Sequence, residues 1–211
     1  MAKEMNFEKM KRIVDSFPSP SKTLHFLPNS RLLGYGWEWT VYSVGPDPLK
    51  VIKVPRGIFP EINSSEYLDL NKNNYIFCER YLGGFVAQSE FDRKRINGKI
   101  LNVIYQQKCK TVIDEVNISR LSDDQREQFI ELASKVLFFL KKEKWLPDFD
   151  LKQKSKGIWR IRNLMYDDKR QIKLVDFAAY YDVFRLNFLR RLLEIYVKQK
   201  DWKKFSKELR K

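Results

Sequence analysis

Asn163-Leu-Met-Tyr-Asp-Asp-Lys-Arg-Gln-Ile-Lys-Leu-Val-Asp176, continued by Phe177-Ala178, reads as two short strands with chemistry at their ends. Leu164 to Tyr166 and Ile172 to Val175 are apolar enough to pair as strands, and Asp167-Asp-Lys-Arg170 between them has turn composition. Pairing the two runs brings Asn163 and Asp176, thirteen positions apart, to adjoining strand ends. An amide oxygen and a carboxylate placed together suit one hard cation, which in turn bridges phosphate oxygens. Asn and Asp also serve as ordinary turn and cap residues, so the pair gains meaning only with the rest of the chain.

Upstream, Trp145 to Arg160 reads as a long loop rich in Asp and Lys. Before it, Ser122-Asp-Asp-Gln125 is a capping-box signature. It opens an amphipathic helix to about Lys144, with Phe129, Leu132, Val136, Leu137 and Leu140 at helical spacing. The texture is expected to turn helical from Val112 onward. The first half reads differently. Arg31 to Tyr35, Thr40 to Val44 and Leu49 to Val54 form a meander of three strands. A helix from about Glu61 to Leu82 follows, stopped by Gly83-Gly84. Phe85 to Asp92 and Lys99 to Gln107 are two more strands joined at Asn97-Gly98, a strong hairpin signal. Phe7 to Phe17 reads as a short helix, and a last helix is expected from about Val183 to Gln199, with a basic tail beyond it.

The turn between the first two strands is Leu33-Gly-Tyr-Gly-Trp-Glu-Trp-Thr-Val-Tyr42. Glycine at such a turn lets backbone N–H groups approach phosphate oxygens that a Cβ would obstruct. Lys53, on the third strand within Lys50-Val-Ile-Lys53, supplies a cation for the same phosphates.

In this order the motifs resemble the protein-kinase family, whose G-x-G-x-x-G-x-V loop and V-A-I-K strand match at Gly34, Gly36, Val41 and Lys53. Trp39 stands where the third glycine would be. Asp176-Phe-Ala178 resembles D-F-G with Ala for Gly, and the spacing from Asn163 to Asp176 is the one kinases use. Asp148-Phe-Asp-Leu-Lys152 resembles H-R-D-L-K, with Asp150 matching the catalytic Asp and Asp148 the fallback. His and Arg are absent, and Asp150 lies thirteen residues before Asn163 where the family has about five. The resemblance implies a helix glutamate paired with Lys53. Glu66 and Glu79 are the options, and Glu79 is preferred for its place beside Tyr75 and before Tyr81-Leu-Gly-Gly84. Gln106-Gln107 ends the fifth strand where main-chain groups of the family's hinge meet adenine.

The implied architecture is α+β: a protein-kinase-like fold of two lobes, with a five-stranded antiparallel N-lobe sheet plus one helix and a truncated, mostly helical C-lobe. Expected boundaries are an N-terminal helix and linker at 1–29, a nucleotide-binding N-lobe at 30–109 and a minimal C-lobe at 110–211. Only 33 residues follow Ala178, too few for an activation segment and peptide-docking helices. The resemblance is therefore to reduced members: RIO-type kinases, the small kinase of the KEOPS complex and lipopolysaccharide-core sugar kinases. It implies ATP and Mg²⁺ as cofactors, and phosphotransfer to a non-peptide acceptor such as a glycan, lipid headgroup or other small molecule.

Composition narrows the alternatives. With 41 Lys+Arg against 27 Asp+Glu, the formal charge is +14, which favours anionic partners: a charged acceptor, RNA or a membrane surface. A single histidine excludes a multi-histidine metal site and argues against a Ser-His-Asp triad, and Cys78 and Cys109 lack zinc-site spacing. Met1 to Val14 has no apolar core of signal-peptide length, and the longest apolar run, Val136 to Leu140, is far short of a membrane span, so a cytoplasmic protein is expected. Two alternatives stay open, a pseudokinase that binds nucleotide without turnover and a basic RNA-binding protein. The tail Lys198 to Lys211, with Trp202 and Phe205 interleaved, suits either an anionic partner or an amphipathic helix.

Overall fold

The computed structural model describes residues 29–35, 38–45, 47–56, 63–96, 98–143, 151–176 and 188–211, and the expected helix Phe7 to Phe17 lies outside them. The chain divides into two compact units, Met1–Leu68 with Ser89–Gln107, and Asp69–Gln88 with Lys108–Lys211.

In the first unit, β1 (Leu32–Tyr35), β2 (Trp39–Val44), β3 (Asp47–Pro55), β4 (Ser89–Ile96) and β5 (Lys99–Gln107) form one antiparallel sheet in the order β1-β2-β3-β5-β4. Gly98 sits at φ 79° in the β4–β5 turn, a conformation that costs glycine little. Alternation assigns the two faces. Tyr42, Ile52, Val54, Ile96 and Val103 pack as one cluster. Trp39 and Ile104, with Phe91 beside them, meet Tyr67 from the first turn of α1 (Ser65–Leu82). That helix start is pinned by side chains: the Tyr67 N–H donates to Ser64 Oγ at 3.1 Å, and the fully buried Asn102 donates from Nδ2 to the Ser64 carbonyl at 2.7 Å. The Asn102 N–H also reaches Asn63 Oδ1 at 2.6 Å.

In the second unit, α1 turns Asn71, Asn74, Cys78 and Leu82 inward at three- and four-residue spacing. It ends at a 3₁₀ turn, Gly83–Phe85, with Gly83 at φ 55°. The strand expected from Phe85 begins only at Ser89. Val86 and Ala87 bond elsewhere: Val86 bridges Leu174 in parallel, and the Ala87 N–H donates to the Leu174 carbonyl at 3.0 Å.

A second sheet holds β6 (Thr111–Asn117), β7 (Leu151–Ser155), β8 (Ile158–Tyr166) and β9 (Ile172–Leu174), with β8 paired to the other three. Two expectations are corrected here. The segment after Val112 is first a strand, with Ile113 and Val116 buried, and becomes helical only beyond it. The loop expected from Trp145 to Arg160 contains a hairpin instead, Leu151–Ser155 turning at Gly157 (φ 75°) into β8. Its alternation was masked by charge: Leu151, Trp159 and Ile161 are buried, whereas Lys152, Lys154 and Arg160 are exposed.

The capping box holds in both directions, with Gln125 N–H to Ser122 Oγ at 3.3 Å and Ser122 N–H to Gln125 Oε1 at 3.1 Å. It opens α2 (Asp123–Glu143), which buries Phe129, Leu132, Ala133, Val136, Phe139 and Leu140. The last helix, α3 (Phe188–Leu209), runs through the basic tail, so the amphipathic alternative is the one realised. Phe205 is fully buried, with Trp159, Trp202 and Phe129 rings at 5.3, 5.9 and 5.8 Å. Glu208 accepts from Trp159 Nε1 at 2.9 Å and Gln153 Nε2 at 3.0 Å, and the Leu209 carbonyl accepts from Arg126 at 2.8 Å. No described helix is long and apolar enough to cross a membrane.

The tail's apolar residues therefore bear on stability and its exposed lysines do not. Phe205→Ala is expected to cost about 3–5 kcal/mol, and Lys203→Ala with Lys204→Ala less than about 0.5 kcal/mol. Urea unfolding checks both, and the reverse ranking would show the tail to be a solvated appendage.

Candidate functional site

The register of the first sheet lines up residues singled out by sequence. Gly34 pairs with Val41, Val41 with Lys53, Lys53 with Ile104, and Ile104 with Phe91. Directly opposed residues share a face, so Gly34, Val41 and Lys53 occupy one rung on the side that carries Trp39 and Ile104. A Cβ built on Gly34 meets nothing within 4 Å, so internal packing does not require glycine there. Trp39 is 6% exposed, and its ring centroid lies 6.5 Å from that of Tyr67. The residue in place of the third glycine is thus a core anchor for α1 and not a loop residue. Tyr67 also donates its hydroxyl to Glu38 Oε2 at 2.8 Å, tying the end of the Gly-containing turn to the same helix. Gln107 ends β5 opposite Lys50. Gly36 lies outside the described residues.

The second group of residues belongs to the second unit. β6 runs along one edge of β8. On the other edge β7 pairs up to Leu151↔Ile161, and β9 takes over from Leu164↔Leu174. Asn163 falls in the gap between the two half-ladders with φ 61°, in the left-handed region where Asn is among the few tolerated side chains. Opposite the gap, β6 is irregular between Ile113 and Glu115. The Val175 N–H donates to the Asn163 carbonyl at 3.0 Å, which sets Asp176 one residue beyond a bond to Asn163 itself. Both residues are partly exposed.

The turn that closes this hairpin is internally satisfied. Asp167, 5% exposed, accepts the Lys169 and Gln171 N–H groups on Oδ1, each at 2.9 Å. β9 is further fixed to the end of α1, where Lys173 Nζ donates to the Gly84 carbonyl. Cys78 on α1 is fully buried; burial, with the Asp176 charge adding to it, pushes its thiol far above the ordinary range.

Among the described residues no three His, Cys, Asp or Glu side chains cluster to hold a metal. An amide and a carboxylate would suit Mg²⁺ better than a metal needing a full protein cage, because Mg²⁺ keeps waters and takes the remaining ligands from phosphates. Asn163 and Asp176 carry oxygen donors of the kind such a site uses.

Other expected residues stand as follows. Glu79 is exposed, with Oε1 accepting the Tyr75 hydroxyl at 3.3 Å, and Glu66 is exposed as well. The polar residues that α1 buries are Asn71 (3% exposed) and Asn74 (6%). Sequence reasoning passed over both, although their spacing from Tyr67, Leu68, Cys78 and Leu82 marks the inward face. Asp148 and Asp150 lie outside the described residues, as do Phe177 and Ala178.

No protein-family model matches the sequence, and no curated protein does either. Solved structures do. A Legionella pneumophila kinase (Lpg2603) bound to IP6 superposes with TM-score 0.52 at 17% identity, covering 83% of this chain and 58% of its own. The Cydia pomonella granulovirus kinase PK-1 gives 0.39 at 12%, covering 81% and 55%, and an apo pseudokinase gives 0.41 at 13%, covering 82% and 67%. The chain thus spans under three-fifths of the Legionella and granulovirus proteins. The likeness does not single out RIO-type, KEOPS or lipopolysaccharide-core kinases. What it establishes, with the five-stranded sheet, its helix, the second sheet and the two further helices, is an α+β fold of protein-kinase-like type.

Proposed function

We propose that the chain is an ATP- and Mg²⁺-dependent phosphotransferase acting on a non-peptide, anionic acceptor. The observation that carries this reading is the bond from Val175 N–H to the Asn163 carbonyl. It ties the backbone of Asn163, within β8, to the residue before Asp176, just past the end of β9, and the thirteen-residue spacing is that of the kinase motif. In this reading Asn163 and Asp176 hold Mg²⁺, and Lys53 neutralises phosphate charge. Gly34 and Gly36 let the backbone near the phosphates, Val41 covers the base, and the strand end at Gln107 offers main-chain groups to adenine. Mg²⁺ supplies charge neutralisation on the phosphate oxygens when bound. Asp150, or failing it Asp148, orients the acceptor hydroxyl and takes its proton. The formal charge of +14 supports an anionic acceptor.

A pseudokinase is the second reading, favoured by α1. The helix buries Asn71 and Asn74 and exposes Glu66 and Glu79, so neither candidate glutamate lies on its buried face.

Melting scans with ATP separate these possibilities. At about a hundredfold excess of ATP over its Kd, Mg²⁺·ATP should stabilise the chain by about 2.7 kcal/mol, roughly 5–10 °C in Tm. The shift should shrink in Lys53→Ala and vanish in Asp176→Ala, and ATP turnover should be abolished in Asp176→Ala. Unchanged turnover in that variant contradicts the assignment, and a full shift without turnover in the wild type selects the pseudokinase.

Gly34→Ala gives a further test, because the added Cβ meets open space. The variant should melt within about a degree of the wild type, or slightly higher, since Gly→Ala at a compatible site stabilises by about 0.4–1 kcal/mol. Its ATP-induced shift should nevertheless fall. An intact shift would mean that no phosphate approaches that strand.

A further inference from the structure

The hairpin that leads into Asn163 has two unlike faces. Inward, Trp159 and Gln153 bond Glu208 and pack on α3. Outward, it carries a row of cations. Lys152 pairs with Arg160 across β7 and β8, and Arg160 pairs in turn with Glu115 on β6, so these three side chains share a face. Lys154 belongs to the same face, since its Nζ meets Glu115 Oε2 at 2.6 Å. Arg162, two positions after Arg160, continues the row to the residue before Asn163. Lys152, Lys154 and Arg160 are all exposed.

Glu115 meets Lys154, Asp201 of α3 is close enough to feel the charge of Lys152, Asp114 stands exposed beside Glu115, and Arg162 has an interaction of its own. Arg160 makes no ion pair with a described residue. Neighbouring cations on such a face stand about 5–7 Å apart. The sheet therefore carries four cations on one face, Arg160 among them without an ion pair to a described residue, and opposed like charges on such a face repel unless an anion meets them.

We propose that this face docks a soluble, multiply phosphorylated molecule as the acceptor, a reading that rests on the phosphotransferase assignment and names its substrate class. A single phosphate would engage two of the four cations, whereas two or more phosphates use the row. Single-stranded nucleic acid is disfavoured by the absence of a stacking ring: the aromatic residue of β7 and of β8 up to Arg162 is Trp159, fully buried on the opposite face. A membrane surface is disfavoured too, since in that same segment the large apolar residues Leu151, Trp159 and Ile161 are buried and Ile158 alone is partly exposed, too little apolar surface to insert.

The test titrates tripolyphosphate without Mg²⁺ into the full chain carrying Lys53→Ala, so that the nucleotide site does not contribute. The comparison chain carries Lys152→Gln and Arg160→Gln in addition. Both positions are exposed and outside the core, and a matching Tm confirms the fold. Affinity should fall at least tenfold in the comparison chain and should weaken with added salt, as exposed charges require. Equal binding by the two chains overturns the proposal. So does tighter binding of phosphatidylserine vesicles or of a single-stranded RNA oligonucleotide than of tripolyphosphate, lost on the same substitutions, because the partner class is then wrong. Lys152→Gln with Arg160→Gln alone leaves Lys53, Asn163 and Asp176 intact, so its Mg²⁺·ATP shift reports the nucleotide reading independently.

Discussion

The backbone of Asn163 is the constraint on which the second unit depends. β8 must serve β7 along its first half and β9 along its second, and one edge cannot do both without a break in register. The break is taken up by a single left-handed residue, at φ 61°, whose carbonyl still receives the Val175 N–H. Asn is among the few non-glycine residues that adopt this conformation at low cost. The same geometry that ends one ladder and starts the next therefore ties the backbone of Asn163 to Val175, the residue before Asp176. Structural need and chemical opportunity fall on one residue.

Around that break the supports are redundant. The Asp167 turn satisfies its own N–H groups, and the end of α1 accepts Lys173 and pairs with Leu174. α3 closes the far side through Phe205 and Glu208. The first unit shows a comparable economy. Trp39, Tyr67 and Ile104 bury the contact between sheet and helix on the face that carries Lys53, and Gly34 keeps open space one rung-mate away.

Much of this was legible in the sequence, for identifiable reasons. The β4–β5 hairpin turning at Gly98, the Ser122 capping box and the strand Lys99 to Gln107 rest on local signals with local causes, and the structure realises each. The β7–β8 hairpin was missed because five cations between Lys152 and Arg162 lower the apolar contrast that marks strands, although Lys156-Gly157 gave the turn. The strand start at Ser89 depended on Val86 and Ala87 bonding Leu174, a partner 88 positions away from Val86, which no local pattern encodes. The hairpin between Asn163 and Asp176 was readable because its pairing is local. On α1, charge draws attention to Glu66 and Glu79, which are exposed, whereas the buried polar residues are Asn71 and Asn74.

The central claim is that Asn163 and Asp176 together hold a cation through their side chains, beyond the turn geometry Asn163 provides. Asn163→Gly separates the two, because glycine keeps the left-handed backbone and removes the amide. The most direct measurement is Mn²⁺ binding, followed by electron paramagnetic resonance with and without a non-hydrolysable ATP analogue. The account predicts nucleotide-dependent Mn²⁺ binding in the wild type, weakened in Asn163→Gly and lost in Asp176→Asn, with both variants folded. Undiminished Mn²⁺ binding in both variants would contradict it.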